Sequence, residues 1–395
     1  MQIADRLAPL QKNVFADMDS AKTRAIANGK PIIDLSLGSS DLPTPKHILD
    51  AIATALNDPG THGYSLFNST RDFRVAVADW YQQKFGIEVD PETEVMPLIG
   101  SQEGTAHLPL ALLNPGDVAL LQDPGYPSHA GGVYLAGGTI HLMPLLAKND
   151  FLPIFADIPA DVLAKSRMMV LSYPHNPTTA SASLSFFKTA VAFCQQHDLV
   201  LVHDFPYADV YFDGNPVPSV LQADTEKSVS IEFFTLSKSY NMGGFRVGYA
   251  IGNARLIKAL RQVKATVDFN QYRGILRGGI AALTGPQDCV AQITDTFASR
   301  RDAAVSALQA IGWPVPTPTA TMYIWAPLPS NLPHSWATDS IRFCTELVEQ
   351  TGVALSPGRG FGPAGEGYVR FALVQQPDVL QAAVNRIGEF VTSKK

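Results

Sequence analysis

Between residues 95 and 252 short apolar runs alternate with helical stretches, and that alternation leaves few architectures open. Met96-Pro97-Leu98-Ile99 turns through Gly100-Ser101 into a run with helical spacing at Ala106, Leu108, Leu110 and Leu112. Further apolar runs lie at Val118 to Leu121, Thr139 to Leu142, Met168 to Ser172, Leu199 to Val202 and Val247 to Gly252, with helical patterns near Asp161 and from Leu184 to His197. Parallel neighbours need a crossover, and the crossover helix covers a sheet face, so such alternation predicts an α/β fold with a mainly parallel sheet. With 395 residues, 46% of them hydrophobic, the chain exceeds one ordinary core, and a smaller domain beside the large one is expected. Its strands are expected at Met322 to Ala326 and Tyr368 to Ala372, with a helix from Asp339 to Gln350 and a long lead-in helix from Pro286 to Ile311.

The residues at the strand ends carry the chemistry, because ligands of open α/β sheets bind beyond the carboxyl ends of the strands. The Gly100-Ser101-Gln102 turn opens a helix whose free N–H groups suit a phosphate, although many α/β turns look alike. Asp123-Pro124-Gly125-Tyr126 delivers an aromatic face suited to a flat ring. Tyr173-Pro174-His175-Asn176 places Asn176 just past a strand. The strand Leu199 to Val202 ends in His203-Asp204 with Tyr207 soon after; Asp204 suits a protonated ring nitrogen and, as a lone residue, equally a helix cap.

Phe233 to Gly248 contains Thr235, Ser237-Lys238-Ser239, a glycine pair and Arg246. A Schiff-base lysine must reach an aldehyde in a confined site, and pyridoxal phosphate also needs hydroxyls and a cation for its phosphate. Lys238, Thr235, Ser237 and Arg246 are of those types; in isolation the stretch also fits an exposed loop lysine with a structural arginine. Arg370, between apolar strand residues, calls for an anion, either a substrate carboxylate or a structural ion-pair partner.

Upstream, Ile3, Leu7, Leu10, Val14, Phe15 and Met18 fit either an arm lying on another surface or an N-terminal core helix. Ile32 to Gly38 reads as a short strand whose terminal glycine approaches a ligand or merely turns the chain. A helix is expected from Pro45 to Leu56, and Tyr64 in the following loop fits a packing role or a site role.

A net charge of −6 without a basic block argues against nucleic-acid binding. Cys194, Cys289 and Cys344 are far apart and form neither a disulfide framework nor a metal cluster, so buried thiols and no metal are expected. No signal core or membrane-length run is present, which favours the cytoplasm, and no internal repeat supports a solenoid.

Taken together, Tyr64 with Phe73-Arg74, Gly100-Ser101-Gln102, Asn176-Pro177-Thr178, Asp204 with Tyr207, and Ser237-Lys238 with Arg246 and then Arg370 resemble, in order, the fold-type I, class I/II pyridoxal phosphate aminotransferases. The resemblance implies a large domain with a seven-stranded, mainly parallel sheet over 46–285 and a smaller α+β domain over 286–395. Residues 1–45 would form an arm and part of the small domain. It implies pyridoxal 5'-phosphate on Lys238, which would carry the proton between the substrate α carbon and the cofactor. Asp204 would lie at the pyridine nitrogen, Asn176 and Tyr207 at the ring oxygen, and Tyr126 on the ring. The phosphate would lie on Ser101, Gln102, Thr235, Ser237 and Arg246. Tyr64 would arrive from the second subunit of a homodimer with shared sites, and Arg370, near Gly38, would hold the substrate carboxylate.

The run Leu98 to Gly104 with His107 and Asn114 to Asp117 looks most like the LL-diaminopimelate aminotransferase branch, with alanine aminotransferase relatives similar there. The implied reaction is transamination of LL-diaminopimelate with 2-oxoglutarate, with alanine, aspartate or another donor, or a lyase or decarboxylase on the same fold, as alternatives. Leu37-Gly38-Ser39-Ser40-Asp41 and Ser69 depart from the family pattern near the expected substrate entrance. A cofactor-sensing regulator would need an added DNA-binding domain, for which no room is expected here. A scaffold would leave Lys238, Asp204 and Arg370 unexplained.

Overall fold

The structure, a computed structural model, describes residues 3–11, 14–329 and 332–393. After a two-residue strand, β1 (Ile33–Asp34), seven strands build the central sheet: β2 (Val95–Leu98), β3 (Val118–Asp123), β4 (Thr139–Pro144), β5 (Ser166–Ser172), β6 (Val200–Asp204), β7 (Ser230–Thr235) and β8 (Gly248–Gly252). Their order is β2-β8-β7-β6-β5-β3-β4. Pairings from β4 through β7 are parallel, whereas β8 runs antiparallel to both of its neighbours. The mainly parallel, seven-stranded architecture is therefore present. Pro97 lies in β2, an edge strand, where its missing N–H costs the ladder least.

Side chains alternate between two apolar layers. Met169, Leu171 and Leu201 enter the layer of Phe73, Trp80, Tyr81, Phe187 and Tyr249, while Met168, Val170 and Val202 enter the layer of Leu108, Val133, Ile257 and Leu260. Truncating a fully buried member such as Leu201 to Ala costs about 2–5 kcal/mol, because the close-packed layers cannot collapse around the loss. This alternation pins the register, and with it the polar residues at the strand ends: Asp123, Ser172, Asp204 and Thr235.

The smaller core lies under an antiparallel sheet of β11 (Ser356–Pro357), β12 (Tyr368–Ala372) and β9 (Tyr323–Pro327), with β10 (Val353–Ala354) pairing in parallel with β1. Phe343, Leu347, Phe371, Leu380 and Ile387 fill it together with Leu35 from the early chain and Tyr207, Val210 and Phe212. The N-terminal stretch divides between its alternative readings. A 3-10 turn, Asp5–Gln11, rests on the helix Pro127–Ala136, with Arg6 Nη1 donating to Leu135 O at 3.3 Å. The helix Val14–Ala27 sends Met18, Ala21 and Ala25 into the smaller core; the side chains of Val14 and Phe15 lie outside the described residues.

Some expectations shift. The strand expected over Ile32 to Gly38 pairs only at Ile33–Asp34, because Asp34 Oδ1 then accepts from the Ser36 N–H at 2.8 Å and turns the chain. Cys194 and Cys344 are buried, but Cys289 is only half-buried. A helix without a counterpart in the sequence reading, Arg273–Thr284, packs on the helices Lys46–Leu56 and Arg71–Phe85. Gly278 and Gly279 weaken its helical pattern yet let Ile52 and Phe73 approach its backbone closely.

Candidate active site

Lys238 stands in a single helical turn, Leu236–Ser239, that leaves β7. Its Nζ donates to Gly38 O at 2.6 Å, so it is not the solvated loop lysine that the stretch alone allowed. Burial pushes its pKa down, and the Arg370 and Arg246 cations add to that effect against an opposing pull from Tyr323. That shift brings the neutral amine, the nucleophilic form, within easier reach. Thr235 caps the turn, its Oγ1 accepting from the Ser237 N–H at 3.2 Å and donating to Ser237 Oγ at 2.8 Å.

Asp204 ends β6, the strand beside β7, with Asp204 in register with Phe233. It caps no helix. Its Oδ2 lies 3.0 Å from His129 Nε2, while Oδ1 is buried and unpaired. A carboxylate oxygen in that state is costly unless a donor or cation meets it. His129, missed in the sequence reading, comes from the first turn of Pro127–Ala136, directly after Tyr126. Tyr126 keeps 36% of its surface exposed, with its ring centroid 5.8 Å from that of His129.

Beyond these groups lies an anion cradle. Gly100, at φ +73°, turns the chain into the helix Ser101–Leu112, and the Arg246 guanidinium sits where a Cβ on Gly100 would project. A Cβ on Gly248 would lie 3.0 Å from the Ser101 amide nitrogen, so glycine keeps that amide accessible. Glu103 braces the turn by accepting from the Ile99 N–H at 2.6 Å, and Lys264, 2.8 Å away, balances its charge. The helix amides at Ser101 and Gln102, the hydroxyls of Thr235 and Ser237, and Arg246 together suit a phosphate.

Arg370 forms the other wall. Its Nη1 donates to Asn176 Oδ1 at 2.7 Å, and Nη2 to Ser36 O at 2.8 Å and Ser356 Oγ at 3.2 Å; Nε is buried and unpaired. Its guanidinium carbon lies 4.2 Å from the ring centroid of Tyr323 and 4.7 Å from that of Phe361. Among the described residues no carboxylate pairs with it, which displaces the structural ion-pair alternative. A cation so held is suited to a bidentate carboxylate.

Tyr323 links the two walls: it accepts from the Tyr207 hydroxyl at 2.9 Å, and its own hydroxyl stands where a Cβ on Gly38 would be. The sequence reading missed Tyr323 and Phe361. The pairing of β12 with β9 could have revealed Tyr323, since Arg370 faces Trp325 and Ala372 faces Tyr323, placing all four on one face.

Tyr64 is the exception. It is 89% exposed and meets Phe269 edge-on, joining none of these contacts among the described residues. The divergent segment Leu37 to Asp41 is tied down at its end, where the fully buried Arg300 grips Asp41 through contacts of 2.6 and 2.8 Å. Ser69 Oγ donates to Leu66 O at 2.6 Å, near Tyr64 in the chain.

The family model described as aminotransferase class I and II matches residues 30–387. An LL-diaminopimelate aminotransferase of Dehalococcoides mccartyi is 43% identical over 390 residues, covering 99% of each chain. Among solved structures, substrate-bound BacF from Bacillus subtilis superposes with a TM-score of 0.93 at 33% identity, over 99% of this chain and 98% of that one. A probable N-succinyldiaminopimelate aminotransferase from Thermus thermophilus does so with a TM-score of 0.89 at 42% identity, over 95% of this chain and 99% of that one.

Proposed function

Because the chain belongs to the class I and II aminotransferases, we propose that it uses pyridoxal 5'-phosphate to carry the amino group of LL-diaminopimelate to 2-oxoglutarate. The observation that carries the cofactor reading is the unpaired, buried Oδ1 of Asp204 beside a strand that leads into the part-buried Lys238, which has no carboxylate partner among the described residues.

The residues fit that group. Pyridoxal phosphate supplies an aldehyde that condenses with amines and a ring that takes up the electron pair freed at the substrate's α carbon. Lys238 Nζ would bind the aldehyde carbon and, once displaced by the substrate amine, take and return the α proton. Asp204 Oδ1 would hold the proton on the ring nitrogen, with His129 orienting the carboxylate. Tyr126 would cover one ring face, and Tyr207 and Asn176 would hydrogen-bond the ring oxygen. Ser101, Gln102, Thr235, Ser237 and Arg246 would hold the phosphate.

Arg370 would take the α-carboxylate, beside Gly38. Tyr64, on an exposed apolar surface with Leu66, Val267 and Phe269, would reach the partner's site in a homodimer. A cytoplasmic enzyme fits this reading; no helix among the described residues is long and apolar enough to cross a membrane.

The amino donor rests on the curated relatives. A second reading, N-succinyl-LL-diaminopimelate, is favoured by the Thermus neighbour. Initial rates decide between them, measured with LL-diaminopimelate, its N-succinyl derivative, alanine, glutamate, aspartate and methionine, each with 2-oxoglutarate and pyruvate. The proposal expects LL-diaminopimelate to lead in kcat/KM. Another donor ahead by more than about tenfold, roughly 1.4 kcal/mol in the transition state, overturns it.

A further inference from the structure

We propose that Tyr323 is a positioning residue whose hydroxyl, 2.9 Å from that of Tyr207, completes a hydrogen-bond chain that strengthens Tyr207 as a donor to the ring oxygen of bound pyridoxal phosphate. The inference rests on the cofactor reading above and adds a residue to it.

A phenol carries one proton and two acceptor lone pairs. As the structure stands, Tyr207 gives its proton to Tyr323. Once Tyr207 donates to the ring oxygen instead, its lone pairs are free to accept from Tyr323, and the chain runs in one direction from Tyr323 through Tyr207. Each link of such a chain polarises the next.

The surroundings favour that direction. The titratable and charged groups facing Tyr323 are Tyr207, Tyr126, Lys238 and Arg370. Burial alone would raise the Tyr323 phenol, but Arg370, Lys238 and the hydrogen bond accepted from Tyr207 together hold the pKa below the usual tyrosine range. Burial and the neighbouring Tyr323 push Tyr207 the other way. The Arg370 guanidinium, its carbon 4.2 Å from the centroid of the Tyr323 ring, draws charge from that ring and so makes its hydroxyl a better donor to Tyr207.

Packing alone does not account for this hydroxyl. A phenylalanine would cover Arg370 equally well, whereas the hydroxyl occupies the space where any side chain at 38 would begin. Buried next to the Lys238–Gly38 contact, it is retained at a desolvation cost that its bond to Tyr207 offsets.

The test is the pH titration of the holoenzyme's visible absorbance. A donor at the ring oxygen draws off negative charge that otherwise keeps the Lys238 nitrogen protonated, so a weaker donor raises the midpoint. Tyr323→Phe should raise it by about 0.3–0.6 pH units, a fraction of one charge-assisted hydrogen bond, with cofactor affinity changed less than about threefold. In a Tyr207→Phe background the same change should move the midpoint by less than about 0.1, since Tyr323 acts through Tyr207.

Should the Phe variant fold poorly, 4-aminophenylalanine at 323, a weaker donor of the same shape, should also raise the midpoint. An unmoved midpoint, or equal shifts with and without Tyr207, overturns the inference and leaves the cofactor reading standing. Absence of any visible band in the unaltered protein supplied with pyridoxal phosphate overturns both.

Discussion

His129 Nε2 lies 3.0 Å from one carboxylate oxygen of Asp204 and leaves the other, which is buried, without a partner. The histidine fixes the orientation of the acid, and in the proposed reading the remaining oxygen accepts from a ligand N–H. Replacing Asp204 by Asn preserves shape and removes charge. Turnover should fall by roughly 10²–10³-fold, the scale of a lost electrostatic stabiliser, while cofactor occupancy falls less than about tenfold. Comparable, small losses in kcat and in occupancy by absorbance would reduce Asp204 to a structural role.

How far the chain could be read in advance follows from the kind of physics involved. The central sheet was legible because burial on both faces writes near-continuous apolar runs such as Leu199 to Val202. Lys238, Asp204 and Asn176 were legible because strand ends are fixed places relative to a sheet. Tyr323 and Phe361 were not, because they reach Arg370 through antiparallel pairing of β12 with β9 and through the 3-10 turn Gly358–Phe361, neither of which local spacing encodes. The helix Arg273–Thr284 was hidden by Gly278 and Gly279, whose value lies in close packing rather than helix propensity.

His175 is buried with Nδ1 2.8 Å from Thr178 Oγ1 and Nε2 unpaired, and burial, with His129 nearby, pushes its pKa down to about 3. The native state thus refuses a proton that the unfolded chain accepts below about 6.5. Stability is unaffected above that value and is lost as pH falls from there toward 3, at up to about 1.4 kcal/mol per pH unit. His175→Asn, which keeps a polar atom near Thr178, should flatten the acid limb of the melting temperature between pH 6.5 and 3. Parallel limbs for variant and parent, followed by calorimetry, would show that His175 does not carry that dependence.

Tyr64 is 89% exposed, and Asn270 Nδ2 donates to Ser65 O at 2.9 Å, joining two exposed apolar segments into one surface. If that surface meets a second copy, a Lys238→Ala chain and a Tyr64→Phe chain each spoil a different half of a shared site. Given nearly inactive parents, random mixing makes half the dimers hybrids with one intact site, and activity should recover to about a quarter of the unaltered level. No recovery after mass spectrometry has confirmed subunit exchange would remove Tyr64 from the shared-site reading.

Arg370 presents a planar fork already oriented by Asn176, Ser36 and Ser356 and clamped between the rings of Tyr323 and Phe361. A lysine there keeps the charge but loses the fork and its stacking, so one charge-assisted hydrogen bond to a carboxylate disappears at a cost of about 1.5–3 kcal/mol. For Arg370→Lys, kcat/KM with LL-diaminopimelate should drop by roughly 10- to 150-fold. An amine lacking an α-carboxylate cannot use the fork, so its slow half-reaction, read as loss of the cofactor's visible absorbance in single turnover, should change less than about threefold. Equal losses for both amines would mean that Arg370 shapes the pocket rather than binding the carboxylate, because a packing defect does not distinguish a substrate with a carboxylate from one without.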